Sequence, residues 1–196
     1  MDAMRVSALR AALAGSGWVE RAGDFAGALR RSTGRRTASG LLLVGTEAYE
    51  PWHLAAHLDE EAALTGLPGL APTLLRHRVE ERAPAHLAHG VRRLTEARRG
   101  ATVLLVAPAA AGGALLERVQ DARRGGATVL ALDGGDEELA GLAHERLSVP
   151  AAGAEEAEGP FELVQHLVSS AAGAPSPRGR LARLADRLAG SPVARW

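Results

Sequence analysis

One stretch of the chain, residues 100–150, alternates apolar strands with helices and constrains the fold more than any other. Uninterrupted apolar runs predict strands that are covered on both faces, as in parallel sheets. The Asp at position 136 follows two glycines and is predicted to cap a short acidic helix. The predicted elements are strands at 102–107, 128–132 and 147–149 and helices at 113–124 and 137–144. This order is typical of right-handed βαβ units.

The preceding part of the chain adds two further strands to this unit. The apolar run LLLV at 41–44 predicts a strong strand, and residues 71–76 predict a weaker one. Helices are predicted at 18–31, 51–66, 84–99 and 160–172. We therefore predict an α/β fold with a doubly wound, five-stranded parallel sheet. The predicted divisions are a helical N-terminal extension at 1–36, the α/β domain at 37–172, and a linker, amphipathic helix and tail at 173–196.

Composition excludes several classes of site and partner. The 196 residues contain no cysteine, which excludes disulfides, thiol nucleophiles and cysteine-ligated metals. The formal net charge is zero, so no global field attracts nucleic acid or a membrane surface. The N-terminal residues lack the continuous apolar core of a signal peptide, and no apolar run approaches the roughly 20 residues that span a bilayer. We expect a soluble cytoplasmic protein with no membrane or nucleic-acid partner.

Spacing around the second βα unit resembles a known family. Ala122 and Arg123 are followed by Gly126 and Ala127, and residues 142–150 read LAHERLSVP before the next acidic connector. These features resemble the SIS (sugar isomerase) domain over roughly residues 40–172. The resemblance implies a flavodoxin-like sheet, a homodimer, and binding of a sugar phosphate at loops that follow two of the strands.

The two loops depart from the family's pattern. SIS domains hold phosphate with backbone amides and several hydroxyls. Here Tyr49 stands where a serine is usual, and no serine or threonine occurs between Thr102 and Thr128. Lost hydrogen bonds to a charged ligand, roughly 1.5–3 kcal/mol each, outweigh the helix dipole's 0.3–1 kcal/mol. Ordinary sugar-phosphate binding is therefore expected to be lost or strongly altered. The resemblance places the ligand positions at Gly45, Thr46, Tyr49, Ala109, Ala110, Ala111, Gly112 and Gly113.

Three carboxylates and a histidine are candidates for proton transfer. Glu162, with Gln165 and His166, resembles a glutamine–glutamate–histidine group that serves aldose–ketose interconversion in some SIS isomerases. The preferred interpretation is an ordinary amphipathic helix. Glu47 and Glu50 bracket the first loop and could act as bases, but we expect them to cap the next helix.

Histidine pairs are the only candidate metal ligands. His53 and His57 share a helix face, with Glu60 or Glu61 one turn later, which is compatible with a divalent metal. The preferred interpretation is a polar face with a His57–Glu61 pair, so neither a metal nor a cofactor is predicted. A second pair, His86 and His89, is predicted on the next helix. Trp52 is expected to pack in the core rather than line the mouth of the cleft.

Two arginine-rich segments are candidate contact surfaces. Residues 30–36 could touch nucleic acid or a phosphate tail, but a solvated helix end is the preferred interpretation. In the predicted C-terminal helix, leucines at 181, 184 and 188 alternate with arginines. This helix could dock a protein partner, dimerise, or fold back on its own domain.

The sequence predicts a degenerate SIS-like domain that acts as a non-catalytic, dimeric scaffold or regulatory module. A residual pocket for a small anion or a sugar derivative is part of this prediction. The alternative is an active sugar-phosphate isomerase with a rearranged site that uses Thr46, Glu47, Glu162 and His166. A transcription-linked regulator is a third hypothesis, for which the chain shows no separate DNA-binding domain.

Overall fold

The computed structural model describes residues 17–149 and 158–174, and these ranges contain five strands and five α-helices. The helices are α1 (Trp18–Thr33), α2 (Trp52–Thr65), α3 (Gly113–Arg124), α4 (Glu137–Leu142) and α5 (Glu158–Gly173). The strands are β1 (Gly40–Gly45), β2 (Pro72–Leu75), β3 (Ala101–Ala107), β4 (Thr128–Asp133) and β5 (Glu145–Ser148). Short 3₁₀ helices cover Pro68–Leu70, Ala85–Leu87 and Val91–Glu96.

The strands form one sheet in the order β2-β1-β3-β4-β5, and every pairing is parallel. Leu104 on the central strand β3 lies opposite Leu43 on one side and Leu130 on the other. The chain moves outward from β1 to β2 and then returns to β3 on the other side of β1. A topological switch point therefore lies between β1 and β3, where open α/β sheets bind ligands. The predicted α/β class and strand count are confirmed.

Side chains alternate between two cores along each central strand, which is why these strands are apolar throughout. Leu43, Leu104 and Leu130 face a core that α1, α2 and α5 cover. Val44 and Leu105 face the opposite core, which α3, α4 and the 3₁₀ helix at Val91–Glu96 cover. Both faces of the sheet are thus buried.

The prediction of a continuous helix at 84–99 is wrong. The structure has two short 3₁₀ helices there, separated by Gly90 in an extended conformation. Gly90 forms a parallel bridge with Arg76, and the Arg76 carbonyl accepts a hydrogen bond from the Val91 amide at 3.0 Å. These backbone bonds extend β2 and are incompatible with a continuous α-helix. Leu94, in the second of these 3₁₀ helices, is nonetheless fully buried.

The other predicted elements match with shifted ends. The last strand begins two residues earlier than expected, at Glu145. The predicted N-cap is confirmed, because the Asp136 carboxylate accepts hydrogen bonds from the amides of Glu138 and Leu139. The predicted arginine-striped C-terminal helix, and the part of the predicted N-terminal extension before Gly17, lie outside the described residues. The division of the chain at residues 36 and 172 stays a prediction.

Gly134 joins the two loops at the carboxyl ends of β3 and β4. Its amide donates to the Ala107 carbonyl at 2.9 Å. A Cβ at this position would overlap the Pro108 carbonyl oxygen. We therefore expect Gly134→Ala to lower the free energy of unfolding by about 1–3 kcal/mol, the usual cost of forcing atoms into a packed region. Urea denaturation measures this change.

Gly141→Ala is the matched control for this substitution. Gly141 lies in α4, where an added Cβ meets no atom within 4 Å. Alanine there favours the helix by up to about 1 kcal/mol. Equal stability changes for the two variants would contradict the close packing of these loops.

Candidate functional site

A cavity of about 210 Å³ lies at the switch point between β1 and β3. It opens where the loop after β1 meets the loop after β3, and the first turn of α5 closes one side. Three of the positions predicted to bind ligand and one candidate acid are brought together there. The lining residues are Thr46, Ala48, Tyr49, Pro108, Ala109, Phe161 and Glu162.

Gly45 lets the first loop turn back tightly beside the cavity. A Cβ at Gly45 would overlap the Tyr49 carbonyl oxygen, so only glycine permits this return. The Tyr49 amide donates to the Thr46 carbonyl at 3.2 Å, which closes the turn. Thr46 is buried, and the turn places it and Tyr49 on the cavity wall. Gly45 thus shapes the site without lining it.

Tyr49 is held in place by α5. Its hydroxyl oxygen accepts a hydrogen bond from Gln165 Nε2 at 2.9 Å. Its ring meets the Phe161 ring edge-on, with centroids 6.1 Å apart. Such edge-to-face pairs are favourable for aromatic rings. The aromatic wall of the cavity is therefore fixed by contacts within the domain. Gln165 is buried because of this contact, a role that the sequence pattern did not predict.

Of the second-loop positions that the resemblance indicated, one lines the cavity. Ala109 lines the cavity, while Ala110, Gly112 and Gly113 are not among its lining residues. Ala111 is buried, and its amide donates to Asp136 Oδ2 at 2.9 Å. The Asp136 carboxylate thus accepts the hydrogen bond of an amide in the loop where the resemblance predicted a phosphate.

Asp136 remains ionised at this amide. Burial pushes the pKa of Asp136 upward, but hydrogen bonds from the Ala111, Leu139 and Glu138 amides and the Arg146 charge hold the pKa below its usual value. Donors to a carboxylate favour its charged form. Near neutral pH the loop therefore carries a fixed negative charge.

A buried ion pair supports this arrangement. Asp133, at the end of β4, is fully buried and accepts from Arg146 Nε at 2.7 Å and Nη2 at 2.8 Å. Asp133 Oδ1 also accepts from the Gly135 and Asp136 amides. The hydrogen bond to Asp133 raises the pKa of Arg146. Sequence reasoning missed this pair, and its signal was an aspartate that ends an otherwise apolar strand.

The histidines of α2 and α5 form one cluster. The rings of His57 and His166 have centroids 4.2 Å apart, and His53 lies 5.8 Å from His57. Glu162 Oε1 is 3.6 Å from His53 Nδ1. The sequence placed these residues in two separate candidate sites, and the packing of α2 against α5 unites them. Within residues 17–149 and 158–174, no group of three or more histidine, aspartate or glutamate side chains is arranged to hold a metal ion.

His166 is the buried member of this cluster. Burial lowers the pKa of His166, and the neighbouring imidazoles of His57 and His53 lower it further, against an opposing effect of Glu162. The sequence analysis predicted a pair of His57 and Glu61. In the structure His57 Nδ1 lies 3.8 Å from Glu60 Oε2 instead. Burial and the charge of Glu60 raise the pKa of Glu61.

Glu47 and Glu50 lie outside the cavity and pair with arginines beyond β2. Glu50 Oε2 is 3.2 Å from Arg76 Nε, and Glu47 Oε1 is 3.5 Å from Arg78 Nη2 on the surface. Neither carboxylate caps α2, which has no side-chain cap. The expected capping role is therefore wrong, because both side chains reach across to the neighbouring segment instead.

Trp52 is not a core residue, contrary to expectation. Its side chain is 42% exposed, since α2 turns Leu54 and Leu58 inward. The Arg76 guanidinium lies 5.1 Å from the Trp52 ring centroid, a cation–π distance that explains why the ring is half covered.

Two of the remaining polar candidates, His89 and Arg30, have partners within the domain. His89 Nδ1 contacts Arg93 Nη1 at 2.9 Å. Arg30, from the predicted basic cluster, donates to the carbonyls of Ala171 and Ala172 at the end of α5. Arg30 therefore caps a helix, and burial lowers the pKa of this arginine. Among the described helices, none is long and apolar enough to cross a membrane.

Comparison with solved protein structures identifies the fold of this chain. No protein-family model matches the sequence, and neither does any curated protein. The sugar isomerase domain of the RpiR transcription factor from Sphaerobacter thermophilus is 18% identical, with a TM-score of 0.53 over 84% of this chain and 86% of that chain. A provisionally named phosphosugar isomerase from Silicibacter pomeroyi DSS-3 is 19% identical, with a TM-score of 0.54 over 94% of this chain and 53% of that one.

This chain spans about half the length of the second match. The Vibrio vulnificus NanR protein, solved with ManNAc-6P, is 18% identical with a TM-score of 0.48, over 95% of this chain and 74% of that chain. The first two structures confirm the fold that the loop spacing had suggested. The chain has the fold of sugar isomerase (SIS) domains.

The histidine cluster makes stability depend on pH. Because the pKa of His166 is lowered in the folded protein, the unfolded chain binds a proton more readily. The contribution of neutral His166 to the free energy of unfolding is full above the ordinary imidazole pKa of about 6.5. This contribution is lost as the pH falls through the lower pKa that His166 has in the folded protein. We expect the melting temperature to fall between about pH 7.5 and about pH 5.5, and His166→Phe to flatten that slope.

His86→Gln is the control, since His86 is exposed and outside the cluster. Calorimetry across this pH range compares the three slopes. A His166→Phe slope as steep as that of the unmodified protein would contradict the assignment to His166.

Proposed function

We propose that this chain is a non-catalytic, cytoplasmic SIS-fold module that binds a small sugar derivative and acts as a dimeric scaffold or regulatory domain. The observation that carries the proposal is the hydrogen bond from the Ala111 amide to Asp136. That amide lies in the loop where the resemblance predicts phosphate recognition.

The charges around this loop oppose a phosphate. A phosphate would have to displace the ionised Asp136 carboxylate or bind beside it. Like charges placed together at a binding site cost several kcal/mol. Arg146, whose charge also acts on Asp136, is engaged with the Asp133 carboxylate. These contacts support a site that does not recognise the phosphate group.

The candidate catalytic side chains do not converge on the cavity. A general base must reach the proton that it removes, at about 2.6–3.2 Å or through one water. Glu162 lines the cavity, but Glu47 pairs with Arg78 on the surface. His166 packs on His57 and is not a lining residue. This dispersion supports binding without turnover.

The proposed regulatory role agrees with one structural neighbour. The Sphaerobacter thermophilus structure is the sugar isomerase domain of a transcription factor, so this fold occurs in regulators. The alternative, an active isomerase, is favoured by one observation: Thr46 and Glu162 line the same cavity. A direct test must therefore separate binding from catalysis.

We expect no isomerisation when the purified chain is incubated with a panel of aldose and ketose phosphates and sampled by proton NMR. Light scattering is expected to give twice the monomer mass. Inorganic phosphate and sugar phosphates are expected to leave the melting temperature unchanged, whereas a ligand at 100 times its Kd adds about 2.7 kcal/mol. Turnover that Thr46→Ala or Glu162→Gln abolishes would establish the isomerase instead, and a monomeric mass would overturn the dimer.

A further inference from the structure

The switch-point cavity, defined by the seven lining residues given above, is chemically unlike an anion site. Most of its wall is apolar, formed by Ala48, Pro108, Ala109, Phe161 and the ring of Tyr49. Glu162 is the one charged side chain among the described lining residues. No arginine or histidine is among the lining residues, and the sequence contains no lysine. The cavity therefore combines an apolar wall with a single negative charge.

Two arginines that follow β2 are paired with carboxylates of the loop after β1. Arg76 contacts Glu50, and Arg78 contacts Glu47. On the other side, the Asp136 carboxylate occupies the Ala111 amide. A ligand anion in the cavity would thus meet the Glu162 carboxylate, with no arginine or histidine among the described lining residues to receive it.

Glu162 has capacity for a ligand. Its side chain is 47% exposed, and its nearest ionisable partner, His53 Nδ1, is 3.6 Å away. That distance is longer than a hydrogen bond, so the carboxylate oxygens remain able to accept from a bound donor. The Tyr49 ring, held by Gln165 and Phe161, provides an aromatic surface at the same cavity. Aromatic rings attract both the apolar face of a sugar ring and a cation.

We propose that the cavity binds an unphosphorylated, amine-bearing sugar, with its ammonium on Glu162 and its apolar ring face against Tyr49. This inference rests on the proposed function and names the ligand class of the same site. The size agrees, because about 210 Å³ is below the roughly 300–1,000 Å³ typical of drug-sized ligands and suits a single ring.

Isothermal titration calorimetry of the full chain with three probes tests the proposal. The probes are glucosamine, glucosamine 6-phosphate and glucose, which separate the amine from the phosphate. We expect glucosamine to bind, its 6-phosphate to bind about tenfold or more weakly because of charge repulsion, and glucose to bind about fivefold more weakly for want of the ion pair.

Two adjacent alanines offer a matched pair of variants. Ala109 lines the cavity, while the neighbouring Ala110 does not, and both are exposed. Ala109→Leu fills the cavity and is expected to abolish glucosamine binding, while Ala110→Leu leaves it unchanged. Glu162→Gln is expected to remove the preference for glucosamine over glucose while binding of glucose persists. Melting temperatures confirm that each variant is folded.

The outcomes separate this inference from the proposed function. Equal or tighter binding of glucosamine 6-phosphate overturns the assignment to an unphosphorylated ligand. An unchanged preference in Glu162→Gln overturns the assignment of the amine to Glu162. Both results leave a sugar-binding module. Failure of all three probes to bind overturns the assignment as well. Isomerisation of the 6-phosphate overturns the proposed function itself.

Discussion

The buried pair of Asp133 and Arg146 fixes the carboxyl end of the sheet. A fully buried carboxylate without a cation is strongly destabilising, so Asp133 requires the two-pronged contact from Arg146. The same carboxylate accepts from the amides of Gly135 and Asp136 and so shapes the turn after β4. That turn places the Asp136 side chain against the Ala111 amide. One ion pair thus positions the carboxylate that contacts the loop after β3.

The site that remains is separate from this ionic network. It lies between β1 and β3, where Gly45 allows a tight turn and α5 supplies Phe161 and Glu162. Its chemistry comes from an aromatic wall and one carboxylate rather than from a row of amides and hydroxyls. We therefore propose that this chain, which shares its fold with the Silicibacter pomeroyi structure, presents a different recognition surface. Fold and ligand class are separable properties, because function depends on the loops.

The strands could be predicted because each central strand is apolar on both faces. That pattern arises only where helices cover both sides of a parallel sheet, and β1, β3 and β4 show it. The helix predicted at 84–99 failed because backbone pairing of Gly90 with Arg76 depends on a tertiary contact that periodicity does not encode.

The position of the cavity follows from strand order, whereas the neighbourhood of its side chains depends on packing. The switch point brings Thr46, Tyr49 and Ala109 to one cavity, and their role in binding stays a prediction. The cluster of His57 and His166 depends on how α2 packs against α5, a contact between segments more than 100 residues apart. Its existence could not be read from the spacing of either helix.

The central claim is that the Ala111 amide is occupied by Asp136 and is closed to phosphate. Titration of the ¹⁵N-labelled protein with inorganic phosphate, followed by amide NMR, tests it most directly. We expect that phosphate does not shift the amide resonances of Ala111, Gly112 and Gly113 in the unmodified protein. A saturable shift centred on Ala111 would contradict the account, because it would show that this loop still receives phosphate.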